Sequence, residues 1–236
     1  MAGNGKLRIG LFGAGGRMGG AIARAAAAGD EVEIAGSEAD VFLDFTAPDA
    51  LRANLRSALE AGRPILVGTT GLGKEHRREL EAAARDVAVI HAPNTSLGVN
   101  LLRHLVGEAA ARLGPEWDIE VLEMHHRSKK DSPSGTALLL GASAAEGRGA
   151  TLQALSRFDR MGGGEREPGT IGYASLRGGS VVGEHVVIFA AEGERVELAH
   201  RAESRDIFAR GALTAARWLA GRSPGLYTMA DVLGLP

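Results

Sequence analysis

Through residues 7–112, short apolar runs alternate with segments in which apolar residues recur every three or four positions. Leu7–Phe12, Val32–Ala35, Val41–Phe45, Ile65–Val67 and Val87–His91 predict strands. Arg17–Ala28 predicts a helix, with Met18, Ile22 and Ala25 at helical spacing. Pro48–Ala61 predicts another, with Pro early, Leu51, Leu55 and Leu59 along one face, and Gly62 as the stop. Lys74–Ala84 reads as a charged surface helix. Val99–Arg112 reads as a helix with Leu102, Leu105 and Val106 turned inward. Strands and helices alternating at this spacing imply right-handed crossovers and a parallel sheet.

The rhythm changes after Trp117. Asp118–His125 predicts a strand and Ser134–Ala145 a helix. Residues 147–172 are rich in glycine and are expected to form a mobile loop. Ile171–Leu176, Val186–Ala191 and Arg195–His200 then read as strands of an open mixed sheet. In the last of them, Val196, Leu198 and His200 share one face and Arg195 and Glu197 the other. Gly193 suits a hairpin turn. Ile207–Leu219 is expected to close the chain as a helix.

Composition narrows the function classes. A chain of 236 residues corresponds to about one and a half domains. Apolar residues make up 44% and charged residues 24%, which supports a real core. There is no cysteine, so disulfides, thiolate metal sites and a cysteine nucleophile are excluded. The formal net charge of −2 is too balanced for bulk attraction to nucleic acid. No apolar run approaches the roughly 20 residues of a membrane span. Because Leu7–Phe12 already reads as a strand, no leader is expected, and the reading is a soluble, cytoplasmic protein.

Two stretches carry candidate chemistry. Gly13-Ala14-Gly15-Gly16-Arg17-Met18-Gly19 lies between the first strand and the first helix, the context a dinucleotide site requires. Glycines there let the backbone approach a pyrophosphate resting on the helix N-terminus. The G-x-G-x-x-G spacing fails at Met18, but Gly13, Gly16 and Gly19 fit G-x-x-G-x-x-G. The alternative is a tight turn without a ligand. Two later turns, Gly68-Thr69-Thr70-Gly71 and Ala92-Pro93-Asn94-Thr95-Ser96, would share the carboxyl edge of the sheet. Their small and hydroxylated residues suit a nicotinamide ribose and ring, and a plain loop equally.

The second stretch is Glu123-Met124-His125-His126-Arg127-Ser128-Lys129-Lys130-Asp131-Ser132-Pro133-Ser134-Gly135-Thr136. Five of the six positions from His125 to Lys130 carry or can carry positive charge. The residues after them open a helix, whose free N–H groups bind anions. Cations, a helix N-terminus and two hydroxyls together make a carboxylate or phosphate receptor. Histidine and lysine also supply general acids. The alternative is a solvated, capped loop. His76, His91, His104, His185 and His200 are assigned satisfied structural roles.

Taken together, GAGGRMG and EMHHRSKKDSPSGTA resemble the 4-hydroxy-tetrahydrodipicolinate reductase (dihydrodipicolinate reductase) family. VFLDFT, VGTTG, APNTSLGVN, GTIGYASLRGG and VGEH fit it in the same order. The resemblance implies an α/β fold, with a Rossmann-like domain in 1–96 plus 207–236. A mixed-sheet α+β domain for substrate and oligomerisation would occupy 97–206. It implies hydride transfer from NADH or NADPH to C4 of a cyclic dicarboxylate, with His125 as general acid and Lys129 as second proton donor. His126, Ser134, Gly135 and Thr136 would contact substrate carboxylates. Gly13, Ala14, Gly15, Gly16, Arg17 and Met18 would hold the pyrophosphate. Gly68, Thr69, Thr70, Ala92, Pro93, Asn94 and Thr95 would lie near the nicotinamide. A homotetramer formed through the mixed sheets is expected, with neither nucleic acid nor membrane as partner.

One segment departs from the family. Only Gly36–Asp40 separate the second and third strands, where the resemblance implies that members usually carry some 30 or more further residues. A parallel crossover needs about a dozen residues, and five extended residues span at most about 18 Å. Either the Val32 strand is short or displaced, or the sheet loses an edge strand and helix. Glu38 falls where an acidic residue would bind the adenosine ribose, or is simply a loop carboxylate. The alternative function is therefore a dinucleotide- or dicarboxylate-binding regulatory protein with impaired catalysis.

Overall fold

The computed structural model describes residues 5–36, 38–159 and 162–236. The chain forms two units, Met1–Leu97 with Asp206–Pro236, and Gly98–Arg205. The first begins with β1 (Leu7–Phe12), α1 (Arg17–Ala27), β2 (Val32–Ala35) and β3 (Val41–Asp44). A 3-10 turn at Pro48–Ala50 leads into α2 (Leu51–Ala61), β4 (Ile65–Val67), α3 (Lys74–Ala83) and β5 (Ala88–His91). The second unit follows with α4 (Leu97–Arg112), β6 (Asp118–His125), α5 (Gly135–Gly147), α6 (Leu152–Leu155) and β7 (Ser156–Arg157). It ends with β8 (Ile171–Arg177), β9 (Gly183–Ala191) and β10 (Glu194–Ala202). The chain returns to the first unit as α7 (Asp206–Leu219), β11 (Gly225–Tyr227) and α8 (Met229–Leu233).

Strict alternation within very short strands builds the first unit. Leu66 faces one side of the sheet with Ile9, Val41, Leu43 and Ile90, against Ile22 of α1 and the alanines of α7. Its neighbours Ile65 and Val67 face the other side with Phe42 and Val89, against Leu51 and Leu55 of α2 and Leu80 of α3. Helices thus cover both faces of a parallel sheet of order β11-β5-β4-β3-β1-β2. β11 has only three residues, too few to register as a periodic run. Leu59 is not buried with Leu51 and Leu55: the i, i+4, i+8 row drifts around the helix, and Asn54 and Ala58 fill the inner face instead.

The short connection is resolved by stagger. β2 and β3 flank β1 on opposite sides, yet β2 ends level with Gly10 and β3 begins level with Ile9. The chain therefore crosses β1 directly, over two strand spacings of about 4.8 Å each, and needs no helix. The crossing bears on Gly10, where a Cβ would run into the Phe42 ring and the Ala39 methyl. Asp40 fastens it: its N–H donates to Arg8 O at 2.8 Å, and its carboxylate accepts from Arg8 N, Nε and Nη2.

In the second unit the sheet order is β10-β9-β6-β8-β7, with β6 parallel to β8 and antiparallel to β9. Leu102, Val106 and Ala110 of α4 pack with α5 onto one face of it. Leu105 is not on that stripe; with Leu101, four residues earlier, it is 42% exposed on a second side of α4. The stretch 147–172 is not a structureless loop. It holds α6 and β7, and Arg166 ties it to β6 through Glu120 Oε1, Asp118 Oδ1 and Ile119 O at 2.7–3.0 Å. Arg160 and Met161 of that stretch lie outside the described residues. Among the described residues, no helix is long and apolar enough to cross a membrane.

Candidate functional site

The carboxyl ends of β1, β3, β4 and β5 open into a cavity of about 460 Å³. The candidates Arg17, Met18, Gly68, Thr69, Thr70, Pro93, Asn94 and Thr95 line it together with Phe45, Thr46 and Phe208, whereas Gly13, Ala14, Gly15 and Gly16 are not among its lining residues. Ala92 is buried in the core behind it. Asp44, fully buried at the end of β3, organises the floor. Its Oδ1 accepts from Thr46 N at 3.0 Å, Thr46 Oγ1 at 2.5 Å and Thr69 Oγ1 at 3.2 Å, joining two turns.

The glycine loop separates folding needs from ligand needs. Gly13 adopts φ +83° and Gly19 abuts the Gly13 carbonyl, so the fold itself demands glycine at both. Gly15 has no positive φ, and nothing stands within 4 Å of where its Cβ would be. Gly16 caps α1 without a side-chain bond, and Arg17 sits in the first turn with no acid beside it. A cation there opposes the helix dipole unless an anion lies between them. The loop thus fits a dinucleotide pyrophosphate. Gly15→Val should leave the melting temperature within a degree or two and raise the NADH and NADPH dissociation constants about tenfold or more. Thermal unfolding and fluorescence titration check this; equal affinities would remove the loop from the cofactor site.

Glu38 does not join this site. Its carboxylate lies 3.3 Å from Arg8 Nη1, in a hollow with Ala61 and Arg63 at the amino ends of the strands. The direct crossing carries residue 38 down the sheet, about five strand residues from the glycine loop.

In the second unit, one face of β6 changes character along its length. Ile119 and Val121 lie in the core, and the next two inward positions are Glu123 and His125. Glu123 is 1% exposed. Its Oε1 accepts from Arg177 Nη2 at 2.8 Å and from Ser134 N at 3.1 Å. Its Oε2 accepts from Arg177 Nη1 at 2.8 Å and from His125 Nδ1 at 2.5 Å. Burial alone would raise this acid; the bonds from Arg177, His125 and Ser175 outweigh it and hold it to about 2. Glu123 is therefore a carboxylate that can only accept, so Nδ1 of His125 carries the hydrogen and Nε2 is the reactive end. Nε2 lies above Gly183, where a Cβ would stand 2.9 Å away.

His125 is lowered by burial, against the pull of Glu123, and lowered further by the charges of Lys129 and Arg177. Lys129 Nζ is held 2.8 Å from both Asp131 oxygens. Arg177 also donates to Asp131 O at 2.6 Å. Ser134 caps α5, accepting from Ala137 N at 3.2 Å. Gly135 resembles Gly15: it has no positive φ and open space where a Cβ would be. His125, Lys129 and Ser134 thus share one charged cluster, with Gly135 and Thr136 following Ser134 in the first turn of α5. His126 does not join them. It follows the strand end on the other side, 3.3 Å from Arg205 Nη2, in a hollow with Arg127 and Ser180.

Glu123 and Arg177 have no role in the sequence reading, and His185 has only a structural one. An inward-facing glutamate in strict alternation with Ile119 and Val121 was the available signal for the first. The strand-end histidines are also not satisfied: Nε2 of His91 and Nδ1 of His185 and His200 are buried without a partner among the described residues.

The model of the dihydrodipicolinate reductase C-terminus matches residues 98–233, and that of its N-terminus matches 27–95. The chain is 54% identical to 4-hydroxy-tetrahydrodipicolinate reductase of Zymomonas mobilis, over 97% of this chain and 98% of the relative. It is 56% identical to that of Beijerinckia indica, over 84% and 73%. In fold it is similar to a dipicolinate-bound dihydrodipicolinate reductase from Paenisporosarcina sp. TG-14, with TM-score 0.77 at 23% identity, covering 96% and 98%. The chain belongs to the dihydrodipicolinate reductase family.

Proposed function

We propose that this chain reduces 4-hydroxy-tetrahydrodipicolinate to tetrahydrodipicolinate with NADH or NADPH, in lysine and diaminopimelate synthesis in the cytoplasm. The observation that carries this reading is the buried Glu123–Arg177–His125 cluster beside the N-terminus of α5, in a member of this family. The first unit holds the dinucleotide, with the Gly13–Met18 loop on the pyrophosphate and Thr69, Thr70 and Asn94 around the nicotinamide half. When bound, the reduced nicotinamide would supply the hydride that C4 accepts once the C4 hydroxyl has left as water and the ring is unsaturated there.

The second unit holds the dicarboxylate. Ser134 and Thr136 would turn their hydroxyls, and Gly135 its backbone N–H at the N-terminus of α5, toward one carboxylate. Glu123 orients His125, and Lys129 and His125 supply protons. Free His125 is neutral near pH 7 because burial lowers it. A dianion beside it favours the imidazolium, so binding loads the acid with the proton it later gives up. Binding of dipicolinate at pH 7 should therefore take up about one proton. Isothermal titration in buffers of different ionisation enthalpy measures this; a heat independent of buffer would remove His125 as the acid. The open face of the mixed sheet, which carries the half-buried Leu122, Met124, Val186 and Ile188, is the surface for a homotetramer.

The function is tested by cofactor oxidation with NADH and NADPH in parallel, on substrate made fresh from pyruvate and aspartate semialdehyde. Oxidation that depends on this substrate is expected. No oxidation of either cofactor, from folded protein beside an active control enzyme, would overturn the reading.

A further inference from the structure

His185 lies opposite Glu123 in the β6–β9 register and points to the same face. It is 4% exposed, with its ring edge-on to His125 at 5.1 Å between centroids. Nε2 stands 3.1 Å from Ser134 Oγ, while Nδ1 is buried without a hydrogen-bond partner among the described residues. Burial, aided by the neighbouring His125 and opposed by Glu123, pushes the imidazole down to about 4, so the ring is neutral.

A neutral imidazole has two tautomers, and they differ sharply here. With the hydrogen on Nδ1, a buried N–H would have no acceptor. With it on Nε2, the unpaired group is a lone pair, which is the more tolerable orphan. The hydrogen therefore sits on Nε2 and is donated to Ser134 Oγ. That oxygen already accepts from Ala137 N at 3.2 Å. A hydroxyl oxygen has two lone pairs, and both are now used. The Ser134 hydrogen can then only be given away, on the side where Gly135 leaves the helix N-terminus open.

We infer that His185 is a positioning residue that makes the Ser134 hydroxyl an obligate donor, selecting a carboxylate over groups that must themselves donate. This rests on the reading that Ser134–Thr136 receive a substrate carboxylate. A carboxylate oxygen accepts from all of these donors together. A carboxamide must turn its NH₂ toward one of them. The selectivity is thus enforced by a side chain that need not touch the substrate.

The test titrates dipicolinate, and its mono-carboxamide, into wild type, Ser134→Ala, His185→Phe and the double variant, each with bound reduced dinucleotide. His185→Phe should weaken dipicolinate about tenfold or more and narrow its margin over the carboxamide. It should raise KM more than it lowers kcat, and leave dinucleotide affinity unchanged. The double variant should be no weaker than Ser134→Ala alone. If Ser134→Ala binds dipicolinate normally, the carboxylate site itself is misplaced. If Ser134→Ala is weakened and His185→Phe is not, the role of His185 falls. Nitrogen-15 NMR of the wild-type histidines decides independently of any variant: the Nε2–H tautomer is expected from pH 6 to 8, and Nδ1–H or an imidazolium would overturn the inference.

Discussion

Replacing Lys129 by alanine should lower kcat by about 10²- to 10⁴-fold, the usual worth of a positioned proton donor. The side chain is only 21% exposed and is pinned by both oxygens of Asp131. The turn beneath it is fixed as well, since Lys129 N donates to His126 O and Arg177 holds Asp131 O. No neighbour can replace it. The single proton that binding loads onto His125 is spent in its own transfer, and Arg177 does not release a proton in a protein. Lys129→Arg sharpens the point, because it keeps the charge and loses the transferable proton. Arginine should therefore rescue KM for the dicarboxylate far better than kcat. Steady-state kinetics with a parallel dinucleotide titration reads both. An unchanged kcat in Lys129→Ala would take this residue out of the chemistry.

What could be read in advance follows the range of the forces involved. Strand and helix periods are local, so β1, β4, β6 and α7 fall within a residue or two of the expected spans. The glycine loop and the helix opening at Ser134 are legible because backbone geometry dictates their residue types. Long-range choices were not legible. The crossing from β2 to β3 depends on the stagger of two strands against a third, and on Gly10 yielding space to Phe42. Counting residues between strands left open a short or displaced β2 or a lost edge strand and helix; β2 has four residues and β3 follows it with no helix between them among the described residues. Glu38 was misplaced for the same reason. Arg166 turns an apparent loop into bound structure through partners 46 to 48 residues away, which no window along the chain reveals. Leu105 shows the converse, an apolar residue at helical spacing that the core does not use. The buried cluster around Glu123 was half visible. The histidines and lysine stand together in sequence, but Arg177 and His185 arrive on β8 and β9, and only the sheet brings them to Glu123.

Glu123→Gln should produce the largest change in stability that a single isosteric substitution causes here, and a pH dependence that identifies its origin. Removing one partner of a buried ion pair costs about 3–5 kcal/mol, whereas an exposed pair such as Arg195–Glu197 contributes about 1 kcal/mol or less. Glutamine fails because Arg177 offers two N–H groups and His125 and Ser134 one each. These four donors, with Ser175 as a fifth, would meet an amide with a single accepting oxygen. The pH sign follows from the depressed acid. Glu123 sits at about 2 when folded against an ordinary 4.5, a displacement corresponding to about 3 kcal/mol. That stabilisation is full above about pH 5 and is lost as pH falls from there toward about 2. The stability gap between wild type and Glu123→Gln, measured by urea unfolding, should be flat from pH 5 to 8. It should close on acidification, because glutamine has no proton to gain. Over the flat range kcat should fall about 100-fold, since His125 loses the acceptor that fixes its tautomer and aims Nε2. A gap that stayed constant down to pH 2.5 would mean that Glu123 is not the ionised hub of the cluster. A large stability loss with unchanged kcat would make the cluster a scaffold and leave the orientation of His125 to other contacts.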